Sequence, residues 1–150
     1  MKKLLISVAL IALAGSASAQ DVAKRVKAED VAWTAHPFFK GVQTTVLIGD
    51  PTKAEVVVQR LKFPPNFQIA PHTHPYSEVV TVMSGSIGAG TGEKFDPAKG
   101  EMLKAGSLNA IPAKQSHFVW TGNEEAIVQV QFIGPAGINF INLADDPRKK

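Results

Sequence analysis

Along most of the chain, apolar and polar residues alternate in short runs broken by glycine, proline and asparagine, the pattern of strands joined by turns. "TTVLIGDP" ends on an Asp50-Pro51 turn, and "AEVVVQRLKF" runs into Pro64-Pro65-Asn66. "FQIAPHTH" stops at Pro75, and "SEVVTVMSGSIGAG" follows with Val80 and Val82 on one face. After a glycine-rich, charged hairpin region, "GTGEKFDPAKGE", come "EMLKAGSLNAIP", "QSHFVWTG" and "AIVQVQFIG". In the last, Val128, Val130 and Phe132 alternate with Gln129 and Gln131, giving one inward and one outward face. Only "DVAKRVKAEDVAWTAH" has helical character. Short strands with regular turn signals and no intervening amphipathic helices predict an all-β chain, an antiparallel sandwich or barrel. The glycines of "GSIGAGTG" read as hairpin glycines, because no helix pattern and no Gly-Lys-Ser/Thr follows them as a phosphate loop requires.

The first twenty residues belong to a different pattern. "MKKLLISVALIALAGSASAQ" places Lys2 and Lys3 before an apolar run from Leu4 to Ala14 and ends on Ala17-Ser18-Ala19. Charge, apolar core and A-x-A site together predict a secretory signal peptide over residues 1–19, cleaved after Ala19. The apolar run falls well short of the ~20 residues that span a bilayer. Residues 20–150 are then one domain, periplasmic or secreted, with no membrane attachment after cleavage. Of the net charge of +3, Lys2 and Lys3 supply two, leaving +1 for the mature chain. No basic stripe with interleaved aromatics occurs, so nucleic acid is not an expected partner.

The chain has no cysteine. Disulfides, thiolate ligands, cysteine nucleophiles and lipoprotein attachment are all excluded, and any metal site must be built from nitrogen and oxygen donors. A domain of this size can bury roughly two-thirds of its unfolded surface and hold a core without staples.

Two of the four histidines, His72 and His74, are one residue apart in an otherwise strand-like run, which puts both on one face. Glu78 re-enters with the parity of Val80 and Val82. Two imidazoles and a carboxylate turned toward a core are costly unless paired, and a divalent metal satisfies all three at once. The alternative is a barrel rim on which they face water or one another. His117, in "QSHFVW", shares a face with Val119 and could add a third nitrogen; on its own it reads equally as a half-buried histidine. Three nitrogens and one oxygen leave coordination positions open, as a catalytic metal requires.

These residues resemble the two sequence motifs of the cupin superfamily. The first, G-x5-H-x-H-x3,4-E-x6-G, is matched by Asn66, His72, His74, Glu78 and Gly85. The second, G-x5-P-x-G-x2-H-x3-N, is matched by Gly106, Pro112 and His117. Together they cover residues 66–121, with about 20 residues between Gly85 and Gly106. Asn66, Lys114 and Thr121 depart from the pattern at turn positions, none of them a ligand. The resemblance implies an all-β, single-domain cupin: a double-stranded β-helix or jelly-roll-like antiparallel barrel with a six-stranded core, often a homodimer. It further implies that His72, His74, Glu78 and His117 hold one divalent transition metal (Fe, Mn, Ni, Co or Zn). It does not imply a reaction, since the fold hosts many.

Gln68 shares the sequence parity of His72 and His74 and is a candidate for substrate binding, as is Tyr76 beside the turn. His36 reads as a loop histidine. Phe38, Phe39, Phe63, Phe67, Phe118 and Trp120 read as core or dimer-interface residues. The leading expectation is an exported metalloenzyme with a 3-His/1-Glu site, a dioxygenase acting on a small organic compound, with Glu78 both ligand and catalytic base. The alternative is a non-catalytic periplasmic cupin that binds a metal or a small-molecule ligand.

Overall fold

The alternating runs form eleven strands, and among the described residues, 23–149 of a computed structural model, there is no α-helix. The signal peptide read from residues 1–19 lies outside them. The strands are β1 (Thr34–Ala35), β2 (Gln43–Ile48), β3 (Val56–Phe63), β4 (Gln68–Thr73), β5 (Glu78–Ser84) and β6 (Ser86–Thr91). They continue with β7 (Gly100–Lys104), β8 (Leu108–Ile111), β9 (His117–Thr121), β10 (Ala126–Ile133) and β11 (Asn139–Phe140). The helical character expected before residue 36 is not realised. That stretch holds one 3-10 turn, Ala28–Asp30, with no side-chain cap and no buried residue, followed by β1. Without an apolar stripe to bury, so short a helix has nothing to offset its nucleation cost.

All pairings are antiparallel and make two sheets. One has six strands in the order β1-β2-β3-β10-β5-β8, the other five in the order β11-β4-β9-β6-β7. Consecutive strands β4 and β5 therefore lie in opposite sheets, so residues 72 to 78 cross from one layer to the other. The inward residues of both sheets form a continuous core that includes Val57, Phe63, Ile69, Val82, Ile87, Val128, Val130 and Phe132. In β10 the buried positions are Ala126, Val128, Val130 and Phe132, while Gln131 and Ile133 are exposed, as the alternation requires.

The "GSIGAG" glycines serve packing as well as turning. Gly85, at φ +68, makes the one-residue turn between β5 and β6, where a Cβ would meet the Glu125 carbonyl. Gly88 and Gly90 lie inside β6, directly across from Trp120 and Phe118 of β9. A Cβ on Gly88 would enter the Trp120 ring, and one on Gly90 the Phe118 ring. The two rings stack 5.8 Å apart, and Phe95 from the β6–β7 connection covers Phe118 at 5.1 Å. An aromatic layer on the far side of the five-stranded sheet thus locks β9, and His117 with it, in place.

Candidate metal centre

His72 reaches the interior through an irregularity in β4. Ile69 pairs with Val119 and His72 with His117, so three steps along β4 match two along β9. The extra residue is a bulge, which inverts the alternation between the two ends of the strand. Pro71 sits inside it, where no ladder N–H is missed. Ile69 and His72 consequently both face inward although their numbers differ in parity. Gln68 is exposed and lies off the cavity, so the expectation that it lines a substrate pocket fails. Simple parity could not register the bulge.

The structure brings the four expected ligands together. One ligand nitrogen from each of His72, His74 and His117 lies within 4.8 Å of the others. Oε1 of Glu78 is 3.4 Å from Nε2 of His117 and 3.7 Å from Nε2 of His74. His72, Glu78 and His117 are buried. β4 and β9 carry His72 and His117 as direct cross-strand partners, the crossing loop carries His74, and β5 begins with Glu78.

Each imidazole is held by its other nitrogen. Nδ1 of His72 donates to the Ala70 carbonyl at 2.8 Å, that of His74 to Gly137 at 2.6 Å and that of His117 to Gln115 at 3.0 Å. A carbonyl only accepts, so all three protons reside on Nδ1 and the Nε2 lone pairs face the interior. Burial, with the neighbouring His117 charge second, pushes His72 down to about 3. Burial also lowers His74, against the opposing pull of Glu78. Neutral imidazoles are the form that binds metal.

Lone pairs turned on a buried carboxylate repel it, and a shared cation removes the repulsion. Donors about 2.1 Å from a common ion stand roughly 3 to 4 Å from one another, a spacing the 3.4 and 3.7 Å separations already have. The donor set therefore fits a divalent transition metal, and nitrogen and carboxylate together do not choose among iron, manganese, nickel, cobalt and zinc.

The motif departures support the site. Lys114 adopts φ +65 and Asn66 φ +55, the left-handed backbone that the motif glycines would take. The Lys114 N–H donates to the His74 carbonyl at 2.8 Å, and the same turn supplies Gln115 to His117. Thr121 stands against the other departing position. Its hydroxyl donates to the Pro64 carbonyl at 2.7 Å and accepts from the Phe67 N–H at 2.9 Å, while Asn66 N–H donates to Gly122.

The centre forms part of the wall of a cavity of about 290 Å³ whose lining is mainly apolar. Tyr76 lines it, stacked between His74 at 5.2 Å and Phe132 at 4.3 Å. Burial, then the Glu78 charge, pushes its phenol up to about 12. Loop residues also reach the cavity without any signal in the alternation, among them His36 and Phe38 from the β1–β2 connection and Arg148 from the C-terminal segment. Arg148 donates to both Asp146 carboxylate oxygens, at 2.7 and 2.8 Å, and to the Ile138 carbonyl at 3.2 Å. Loop residues lack periodicity, so only the fold reveals which side they serve.

The sequence profile of a domain of unknown function, DUF4437, matches residues 17–134. No curated protein matches the sequence. Among solved structures, the polyketide cyclase RemF from Streptomyces resistomycificus is similar at a TM-score of 0.68 and 24% identity, over 85% of this chain and 92% of that one. An oxalate oxidase in complex with the substrate analogue glycolate gives a TM-score of 0.59 and 26% identity, over 84% and 67%. An RmlC-like cupin from Shewanella frigidimarina NCIMB 400 gives 0.58 and 17%, over 72% and 87%. The all-β, two-sheet architecture is that of the cupins.

Proposed function

The chain belongs to the DUF4437 family, and from that premise we propose that it is an exported metalloenzyme of cupin fold with a 3-His/1-Glu centre. Its substrate is a small organic molecule held in the adjoining cavity, and its reaction an oxidation of the dioxygenase type. One observation carries the reading: three imidazoles, each fixed by a carbonyl at Nδ1, meet a buried carboxylate at the wall of an apolar cavity. The similarity to an oxalate oxidase in complex with glycolate supports oxidation of a small oxygen-bearing substrate.

When bound, the metal supplies Lewis acidity and, for iron or manganese, redox chemistry. The chain's own residues do the rest. His72, His74 and His117 would hold the ion, each aimed by its backbone carbonyl partner, with burial favouring the neutral form of His72 and His74. Glu78 is the fourth ligand and takes a substrate proton on its carboxylate oxygen. The apolar lining excludes water and orients the substrate body, with Tyr76 as a flat contact surface.

A second reading is a periplasmic cupin that binds a metal or small ligand without turnover. It is favoured by the cavity groups outside the ligand set: His36, pushed down to about 4, and Tyr76, pushed up to about 12, each keep one protonation state at neutral pH. Oxygen uptake separates the two readings. The protein is purified without a metal-binding tag, its metal content measured, and the matching metal form assayed against phenols, flavonoids and diketones. Substrate-dependent uptake supports the enzyme; one tightly bound metal without turnover leaves the binder.

Export predicts a mature mass beginning at Gln20. A homodimer is supported by the outer face of the six-stranded sheet, where Ile48, Val56 and Ile133 are exposed. Light scattering on the mature chain tests it.

A further inference from the structure

His36 stands outside the ligand set but on the same cavity. Its position is set by a tight loop: its N–H donates to the Val42 carbonyl at 2.9 Å, and Val42 N–H donates back to Phe39 at 3.1 Å. Nδ1 accepts from the Phe39 N–H at 3.2 Å, with the Phe38 N–H at 3.4 Å. Backbone amides only donate, so Nδ1 is unprotonated and the ring proton resides on Nε2. The tautomer is opposite to that of the three clustered histidines. The ring is clasped between Phe38, edge-on at 4.5 Å, and Phe39 at 4.8 Å.

Nε2 has no protein partner among the described residues, yet no fully buried side-chain nitrogen or oxygen there lacks one. The Nε2–H is therefore accessible rather than sealed into the core, on a residue that lines the cavity. The other polar groups of the cavity are less committed in direction or already engaged. Gln59 and Asn109 line it with amides that can turn either end, and Arg148 is held by Asp146 and Ile138. Burial keeps His36 neutral down to about pH 4, so it stays a single fixed donor across the working range.

We propose that His36 is a specificity-determining residue of this cavity, donating its Nε2 proton to an acceptor oxygen, carbonyl or enolate, on a small ligand that is otherwise apolar. The inference rests on the reading of the cavity as the substrate site, but not on the metal. An uncompensated acceptor in an apolar site is penalised, so a fixed donor discriminates between ligands of one shape that differ only in that oxygen.

The test uses metal-stripped mature protein and a matched pair of probes, 1-indanone and indane, which share a bicyclic body and differ in one carbonyl. Calorimetry is expected to show 1-indanone bound about tenfold tighter. In His36→Asn the amide oxygen can still accept from Phe38 and Phe39 N–H, preserving the loop, while the shorter side chain's own NH2 no longer reaches the position of Nε2. The preference is expected to collapse to less than about twofold, with indane affinity unchanged. As a second readout, nitrogen NMR of wild-type His36, assigned by its absence in the variant, should show the proton on Nε2 and respond to 1-indanone but not to indane. Equal affinity for the two probes, no binding of either, or a preference retained in His36→Asn overturns the assignment. Because no metal is present, failure here is distinct from failure of the metal centre, which metal content alone decides.

Discussion

Glu78 and His117 face each other across the two sheets, with Oε1 3.4 Å from Nε2. Glu78 opens β5 of the six-stranded sheet and His117 opens β9 of the five-stranded one. His72, the cross-strand partner of His117, and His74, on the crossing loop, complete the group. An ion bound here would tie the two layers at one point, so occupancy and stability are coupled.

That coupling sets the first prediction. A metal present at about 100 times its dissociation constant stabilises the folded state by about 2.7 kcal/mol. For a domain of this size that raises the melting temperature by roughly 8 to 10 °C. Thermal melts with and without a chelator measure it. His72→Ala and His117→Ala are expected to lose both the shift and stoichiometric metal. Full occupancy in both variants would falsify the ligand assignment.

Glu78→Gln separates charge from shape. The amide keeps the volume but offers the metal a much weaker donor, so affinity should fall by about tenfold or more, as when a hydrogen-bonded or ligating partner is lost. In the metal-free protein the sign reverses. A buried carboxylate facing two imidazole lone pairs is a cost, and the neutral amide should leave stability equal or up to about 1 kcal/mol higher. Chemical denaturation of both chelated proteins checks this. A metal-free variant markedly less stable than wild type would show that Glu78 serves the fold on its own account.

The metal-free protein should also lose stability at both ends of the pH range. His72 falls from 6.5 to about 3 on folding, and His36 from 6.5 to about 4, both chiefly through burial. The unfolded chain therefore takes up protons that the folded chain refuses. The stability these groups contribute is present above pH 6.5 and lost as pH falls toward 4 and then 3. Tyr76 rises from 10.0 to about 12, so the unfolded chain releases its proton first and stability declines as pH climbs above 10. It is the chain's single tyrosine, and phenolate absorbance reports it without ambiguity. A midpoint near 10 would show that the ring is not buried against His74 and Phe132.

Much of this was legible in the sequence because the relevant side chains lie on regular strands. Alternation placed Glu78 with Val80 and Val82, and His117 with Val119, and of these Glu78, Val80, His117 and Val119 line the cavity. The cupin motifs supplied the register between segments that alternation cannot. Gln68 was misplaced because the bulge between Ile69 and His72 consumes one residue, and a bulge leaves no periodic trace. His36 and Arg148 were invisible for a related reason. They reach the cavity from a loop and from the chain's last turns, and their direction follows from long-range packing. The helical reading before residue 36 failed because composition without an amphipathic stripe gives a helix no surface to bury.

Gly88 and Gly90 show what a residue without a side chain contributes to the centre. They form a bare floor under Trp120 and Phe118 on the outer face, and β9 presents His117 on the opposite face. A methyl group at Gly88 would overlap the Trp120 ring, and one at Gly90 the Phe118 ring. Neither ring can simply retreat: Phe95 covers Phe118 at 5.1 Å and stands edge-on to Trp120 at 5.9 Å, and Gly100 lies against Trp120 from β7. Gly88→Ala and Gly90→Ala should each destabilise the protein by about 1 to 3 kcal/mol, the usual cost of overpacking. Because the displaced ring is rooted on β9, metal affinity should weaken with stability, although neither glycine touches a ligand. Gly92→Ala is the control, since its Cβ would meet no atom within 4 Å; its φ of +120 confines any cost to the local turn. Denaturation midpoints together with metal titration of the three variants measure both effects. If Gly88→Ala and Gly90→Ala lower stability but leave metal affinity at the wild-type value, the aromatic layer supports the sheet without positioning His117.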